Sequence, residues 1–187
     1  MKRNLSIFLL VFLLLGGGYF TYQAAKIDIK AKVAQILLIH SWMISIDKGK
    51  AVKPWKSFDG SPILKLQIPD HNINQIVLNN TSGQSLAFGP GFHQETYLPH
   101  LNKTTAISSH RDSHGTFIKK LKIGDIIKLQ DLKNNWYQYR VENFFIINVN
   151  NVINLNQHNG LLLITCYPFD TLTSGTSFRY VVVSNKI

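Results

Sequence analysis

The sequence predicts a mainly β domain, either a barrel or a sandwich of short strands, that follows one N-terminal membrane-spanning helix. Between residues 63 and 183, seven to eight short apolar segments alternate with turn residues such as Asn, Asp, Gly and Pro. Short strands at this spacing are typical of β-barrels and β-sandwiches. Long helices do not alternate with these segments, which argues against a doubly wound α/β sheet.

The composition fits one domain with an appendage, because the chain has 187 residues. A net charge of +10, from 20 basic and 10 acidic residues, suits contact with an anionic membrane or a nucleic acid. The basic residues are spread along the chain rather than clustered, so we expect no nucleic-acid partner. Those between residues 26 and 56 are better matched to anionic lipid.

An uncharged stretch from residue 5 to residue 22 opens the chain, with basic residues on both sides. Eighteen helical residues span about 27 Å, close to the thickness of a bilayer core. Bulky and polar residues upstream make Ala24-Ala25 a poor signal-peptide cleavage site. We therefore predict an uncleaved anchor over residues 1–25, with the rest of the chain outside the cytoplasm.

Residues 26–52 are predicted to form a helical stalk, which places the folded domain at residues 53–187. Apolar side chains recur there at spacings of three and four residues, so they share one helix face. Gly49, between two lysines, and Pro54 end the helical pattern. The residues on the predicted face are Ile29, Val33, Ile36, Leu37, His40 and Ile44.

The strands of the domain are predicted from short apolar or alternating runs that stop at turn residues. Gly89-Pro90-Gly91 is predicted as a turn, residues 117–121 as a short helical turn, and the Asn-rich residues 148–159 as a loop. Because Pro168 cannot donate to a ladder, one strand should stop at or just after Cys166. The predicted strands cover residues 63–68, 76–78, 104–108, 125–130, 136–141, 144–149, 161–166 and 178–183.

Three residues at predicted strand ends carry the chemistry of an acyl-transfer site. Cys166, the only cysteine, would act as a thiolate nucleophile. His110 would protonate a leaving amine, and Arg179 would donate to the oxyanion of a tetrahedral intermediate. Each residue alone is a weak signal, since a free cysteine is more often a packed core residue.

The segment around His110 allows two further interpretations. His110 and His114 are four residues apart, the spacing of two zinc ligands on a helix, but Gly115 disfavours a helix and a third ligand is not evident. We therefore expect neither a metal nor a cofactor. Asp112 either orients His110 or pairs with Arg111, and the sequence does not decide between these roles.

These motifs resemble those of sortases, the cysteine transpeptidases of the bacterial envelope. The nucleophile motif of that family reads Thr-Leu-x-Thr-Cys, and residues 162–166 read Leu-Leu-Ile-Thr-Cys, with Leu in place of the first Thr. Residues 109–111 read Ser-His-Arg where related classes have Gly-His-Arg. Arg179 matches the arginine that opens the last strand of the family.

Further segments resemble the Gram-negative branch called class GN sortases. One departure is Gly115-Thr116, where that branch would have an aromatic residue directly after the second histidine. The matching segments are Trp42, Lys53-Pro54-Trp55, Leu86-Ala87-Phe88-Gly89-Pro90-Gly91, His110-Arg111-Asp112-Ser113-His114 and Thr165-Cys166-Tyr167-Pro168-Phe169-Asp170.

The resemblance implies an eight-stranded sortase-like β-barrel with short helices, and catalytic roles for Cys166, His110 and Arg179. It implies cleavage of a C-terminal LPXTG-like sorting signal on a partner protein through a thioacyl enzyme, followed by transfer to an amine of unknown identity. It also implies a single-pass protein of the inner membrane with a periplasmic catalytic domain. The substrate-binding residues that it suggests are Thr165, Ile164, Arg111 and His114.

Two other functions remain open from the sequence. A different cysteine acyltransferase, such as an L,D-transpeptidase, would carry a Gly-Cys-x-Arg type motif, which residues 165–168 do not match. A membrane-tethered binding module would use Cys166 only for packing. Reactivity of the Cys166 thiol separates this second function from an enzyme.

Overall fold

The computed structural model describes residues 2–149, 159–171 and 175–187, so the predicted loop at 148–159 lies mostly outside the described residues. Among the described residues a long helix comes first, and eight strands, one short α-helix and three short 3-10 helices follow it, the last of them (Ile118–Lys120) at the predicted helical turn. The elements are α1 (Lys2–Lys48), β1 (Pro62–Ile68), β2 (Ile73–Leu78), α2 (Gly83–Phe88), β3 (Gly91–Phe92), β4 (Thr105–Ser108), β5 (Ile126–Asp131), β6 (Trp136–Asn148), β7 (Gly160–Tyr167) and β8 (Phe178–Lys186).

The eight strands form a closed barrel in the order β1-β2-β3-β4-β7-β8-β6-β5, which confirms the predicted mainly β fold. Neighbours pair antiparallel except for β2 with β3 and β4 with β7, which run parallel. The parallel β4–β7 pair is important for function, because two parallel neighbours end at the same edge of the barrel. The loop after β4 and the end of β7 therefore meet.

Two parts of the fold differ from the sequence prediction. The predicted turn at residues 89–91 continues into strand β3, and α2 precedes it, begun by Ser82, whose hydroxyl accepts a hydrogen bond from the Ser85 N–H. The two strands predicted between residues 136 and 149 are one strand, β6, with an irregularity between Val141 and Asn143. A local bulge of this kind breaks the alternation without ending the strand.

Strand β7 is buried on both of its faces. Leu161 and Leu163 point into the barrel core, together with residues such as Val182. Leu162 and Ile164 point the other way and form a second buried cluster with Ala106 and Val181. We call this second side of the β4-β7-β8 sheet the outer face, and alternation along β7 places Cys166 on it.

The chain divides into two compact units, Met1–Ile36 and Leu37–Ile187. In the second unit, Leu38 packs with Phe58 and Leu78, so the last turns of α1 belong to the folded domain. This division into two units does not test the predicted boundaries at residues 1–25, 26–52 and 53–187, which stay a prediction.

The apolar face predicted for the stalk is mostly exposed, and a different side of the helix is buried. Val33 and Ile36 are exposed, whereas the buried side chains near the end of α1 include Leu38 and Trp42. Ser45 is also buried and bonds to the Val52 N–H at 2.9 Å. The returning segment after α1 thus covers a different side of the helix from the one that the apolar spacing indicates.

Helix α1 has the length and composition to cross a membrane. Among the residues with described side chains, the 20-residue stretch Ile29–Lys48 is long and apolar enough to span a bilayer. Buried core helices can have this length and composition too, and Leu38 and Trp42 within the stretch are buried. Nearer the N-terminus, large apolar side chains are exposed, among them Leu10, Phe12, Leu13, Leu14, Leu15, Tyr19, Phe20 and Tyr22.

Candidate active site

Cys166 and Arg179 lie directly opposite each other on neighbouring strands. Cys166 is the second-last residue of β7, and its Cα partner across the antiparallel β7–β8 ladder is Arg179. Directly paired residues project their side chains to the same face of a sheet. The thiol, which is partly exposed, therefore shares the outer face with a guanidinium group.

His110 reaches the same place through the parallel β4–β7 ladder. Ser108 is paired with Ile164, and the Ser109 N–H donates to the Ile164 carbonyl at 3.0 Å, which extends the ladder past the end of β4. The last pair of this ladder is Ser108 with Ile164, so His110 leaves β4 at the same edge of the barrel at which Cys166 lies near the end of β7. The imidazole-bearing residue is exposed, as a group that exchanges protons with substrate must be. The three predicted catalytic residues thus come from three neighbouring strand ends.

Thr165 supports this junction from the opposite side of β7. It is buried, and its hydroxyl donates to the Ser109 carbonyl at 2.8 Å. The bond ties the strand that carries the thiol to the segment that carries His110. Ile164 is buried on the outer face, next to the Cys166 position. A role of either residue in binding substrate stays a prediction.

Arg179 is held by the loop that precedes β8. Its Nη1 donates to the Phe178 carbonyl at 2.9 Å and also to the Thr176 carbonyl. The side chain is only partly buried, so the remaining N–H groups can donate to a substrate oxygen. A guanidinium has five N–H donors in a fixed plane, which suits binding of an oxyanion.

Arg111 fastens the loop between β7 and β8 to the His110 segment. Its guanidinium donates to the Pro168 carbonyl and, at 3.1 Å, to the Thr171 carbonyl. It also forms a two-pronged pair with Asp112, at 3.0 and 3.1 Å. With 8% of its surface exposed, Arg111 is placed to position the loop, and substrate binding by it stays a prediction.

The two hydrogen bonds between Arg111 and Asp112 also show where the Asp112 carboxylate points. Both carboxylate oxygens of Asp112 accept from Arg111, which favours the second of the two roles that the sequence left open. The hydrogen bond from Arg111 lowers the pKa of the Asp112 carboxyl group. The same bond raises the pKa of the Arg111 guanidinium.

His114 is a loop residue held against α2. Burial lowers the pKa of its imidazole, which a hydrogen bond to the Ala87 backbone partly offsets. The His114 carbonyl accepts from the Gln75 side chain at 3.0 Å. These contacts anchor the loop that presents His110. Sequence reasoning missed the contacts of His114 with Ala87 and Gln75, since a backbone group and a single amide have no recognisable sequence signal.

Two of the three departures from the family motifs, Ser109 and Gly115, lie next to each other. A Cβ atom on Gly115 would lie 2.5 Å from the Ser109 Oγ and 2.8 Å from the His110 carbonyl oxygen. Residue 115 therefore has no room for a side chain. Ser109 fills the space where the motif has glycine, and Gly115 provides the complementary gap, so the two changes compensate sterically.

The His110 segment is not part of a cluster of metal-ligating side chains among the described residues. Within residues 2–149, 159–171 and 175–187, no group of three or more His, Cys, Asp or Glu side chains lies close enough together to hold a metal ion. His110 and His114 lie in a segment of turns rather than on a helix, so they lack the helical geometry that places two such residues on one face.

A sequence model of the Sortase domain family matches residues 66–187. The chain belongs to the sortase family. Sortases are cysteine transpeptidases, so membership of the family gives the cysteine at the end of β7 a chemical role to be tested. The matched region contains all three residues of the candidate site.

Individual sortases resemble the chain over most of its length. Sortase D of Bacillus subtilis (strain 168) is 26% identical over 146 residues, which are 76% of this chain and 73% of that protein. The Clostridium perfringens Sortase D5 transpeptidase has a TM-score of 0.58 at 22% identity and covers 67% of this chain and 79% of its own. Listeria monocytogenes sortase A has a TM-score of 0.57 at 26% identity, with 67% and 87% covered.

Proposed function

We propose that this sortase is a membrane-anchored cysteine transpeptidase that cleaves an LPXTG-like sorting signal and transfers the acyl group to an amine. The observation that carries the proposal is the direct pairing of Cys166 with Arg179, at the edge of the barrel where β4, the strand before His110, also ends. A nucleophile, an oxyanion donor and a proton carrier at one point are the parts that acyl transfer requires.

The first half-reaction breaks the peptide bond of the signal. The Cys166 thiolate adds to the scissile carbonyl carbon, and Arg179 donates to the resulting oxyanion. When the intermediate collapses, the C–N bond breaks, the leaving amine takes a proton from His110, and a thioester to Cys166 remains. Holding three groups on adjacent strand ends fixes their geometry before substrate binds.

The second half-reaction reverses these roles. An acceptor amine adds to the thioester carbonyl and gives its proton to His110, and the Cys166 thiolate leaves. The new amide joins the two substrates. Ile164 contributes an apolar floor beside the reacting carbon, while Thr165, Arg111 and His114 hold the surrounding segments in place, as their contacts indicate.

The substrate in this proposal is a partner protein with a C-terminal LPXTG-like signal. Similarity of the segments around His114 and Pro168 to class GN sortases supports assignment to that Gram-negative branch. The exposed apolar side chains near the start of α1 support an anchor in the inner membrane. The catalytic domain would then face the periplasm.

Transfer to hydroxylamine tests the proposal without knowledge of the natural acceptor. The full-length protein in detergent micelles is incubated with LPXTG-like peptides that vary at each position, with and without hydroxylamine. We expect at least one peptide to be cleaved, and its N-terminal fragment to appear as the hydroxamate when hydroxylamine is present. This product forms because a small nucleophile intercepts the thioester. Cleavage that gives only the free acid at every hydroxylamine concentration would contradict a transpeptidase.

A further inference from the structure

A polar pair, Ser108 and His93, lies on the outer face that carries Cys166, beside the apolar cluster of that face. The His93 Nε2 and the Ser108 Oγ are 2.6 Å apart. Ser108 is the direct partner of Ile164 across the parallel ladder, so its side chain shares the face of Ile164. Ser108 therefore lies two residues before His110 along the chain, and its partner Ile164 lies two residues before Cys166.

His93 occupies the next strand position on the same face. Phe92 pairs with Ile107, and the His93 N–H donates to the Ala106 carbonyl at 3.0 Å, which puts His93 opposite Ala106. Ala106 belongs to the outer-face cluster. Solvent still reaches 24% of the His93 side chain, and Ser108 is also partly exposed. The pair is accessible to a substrate lying on this face.

The surroundings of His93 set the direction of its bond to Ser108. A carboxylate oxygen of Glu95 lies 3.9 Å from the His93 Nδ1, which favours a proton on Nδ1 and leaves Nε2 as an acceptor. Burial lowers the pKa of His93, so the ring is neutral at neutral pH. Ser108 then donates to His93, and its oxygen lone pairs can accept a hydrogen bond from a ligand.

The distance from Ser108 to Cys166 limits which part of a substrate it can contact. Ser108 is one strand over and two residues back, about 8 Å away for strands about 4.8 Å apart with a rise of about 3.3 Å per residue. An extended peptide advances by about 3.3 Å per residue as well. The hydroxyl would meet a side chain within about three residues of the scissile carbonyl.

We propose that Ser108, oriented by His93, is a specificity-determining residue that selects a hydrogen-bond donor, a hydroxyl or an amide, on one side chain of the sorting signal. This inference rests on the proposed function and deepens it. An aliphatic side chain at the same signal position leaves Ser108 and His93 bonded to each other. The preference is therefore modest, about threefold to tenfold, the usual worth of one neutral hydrogen bond.

Paired peptides measure this preference directly. For a peptide that the full-length protein cleaves, Thr and its near-isostere Val are compared at each of three positions on either side of the scissile bond. We expect kcat/KM to favour Thr about threefold to tenfold at one position in the wild type. Ser108→Ala removes that ratio, Ser108→Thr restores it, and His93→Phe lowers it. Ser113→Ala, the same substitution at an exposed loop position, is the matched control and keeps the wild-type ratio.

The outcomes separate this inference from the proposed function. If the wild type and Ser108→Ala show the same Thr/Val ratio at every position, the inference is overturned and the transpeptidase stands. Equal loss of kcat/KM for both members of every pair would show a purely structural role for Ser108 and also overturns it. If the wild type cleaves no peptide at all, the proposed function fails, and the inference fails with it.

Discussion

Replacing Cys166 with Ala is expected to abolish cleavage and acyl transfer while the barrel stays folded. No thioester can form without the thiol, and loss of the nucleophile in an acyl-transfer enzyme costs roughly 10⁶-fold in kcat. Cys166 is partly exposed at the end of β7, so removing its sulfur leaves the core almost unchanged. Peptide cleavage followed by chromatography gives the rate, and circular dichroism gives the melting temperature.

The Cys166→Ser variant is the matched control for the size of the side chain. Its hydroxyl occupies nearly the same volume, but it is a far weaker nucleophile than a thiolate at neutral pH. We expect it to be as inactive as the alanine variant and as stable as the wild type. Substantial turnover by Cys166→Ala with a normal melting temperature would make the cysteine a packing residue and exclude it as the nucleophile.

His110→Ala is expected to lower kcat/KM by about 10² to 10⁴, the usual contribution of a positioned general acid. The residue follows β4, whose parallel partner β7 carries Cys166, and it is exposed, so its removal should not affect folding. Added imidazole should restore part of the rate, since it can deliver the missing proton. Steady-state kinetics with and without imidazole measure both effects.

His100 offers a control for the His110 substitution. It is exposed and lies in a pocket with Gly49 and Leu132, apart from the residues that surround Cys166. His100→Ala should keep wild-type kinetics. If His110→Ala also retained wild-type kcat/KM, proton transfer by His110 would be excluded, even if Cys166 remained essential.

The mainly β fold and the positions of Cys166, His110 and Arg179 at or near strand ends could be predicted from the sequence because local patterns specify them, whereas the closed barrel was expected from the resemblance to sortases. Apolar runs that end at turn residues mark the strands, and Pro168 marks the end of the strand that carries Cys166. The order of His110, Cys166 and Arg179 along the chain follows the family motifs. Each of these signals lies within a few residues of the feature that it predicts.

Other features depend on contacts between distant parts of the chain, which no local pattern contains. The buried side of α1 near Leu38 is set by Phe58 and Leu78, so the apolar spacing within the helix does not show which side is buried. Ser82 begins α2 through a hydroxyl contact that the same residue could have made in a simple turn. The fit of Ser109 against Gly115 likewise appears only when the loop is folded back on β4.

The state of Asp112 illustrates the same limit within the active site. From the sequence, its carboxylate could face His110 or Arg111 equally well. In the folded protein Arg111 is held by two carbonyls of the β7–β8 loop, those of Pro168 and Thr171, and this arrangement turns its guanidinium toward Asp112. The long-range contacts of Arg111 therefore decide a short-range pairing.

The intact mass of the protein after reaction with a cleavable LPXTG-like peptide tests the central claim most directly. The full-length protein is mixed with peptide, quenched in acid within seconds, and analysed by mass spectrometry and peptide mapping. The account predicts an added mass equal to the N-terminal peptide fragment, located on Cys166 and released by hydroxylamine. Peptide cleavage without any acyl group on Cys166, or an acyl group on another residue in its place, would contradict it.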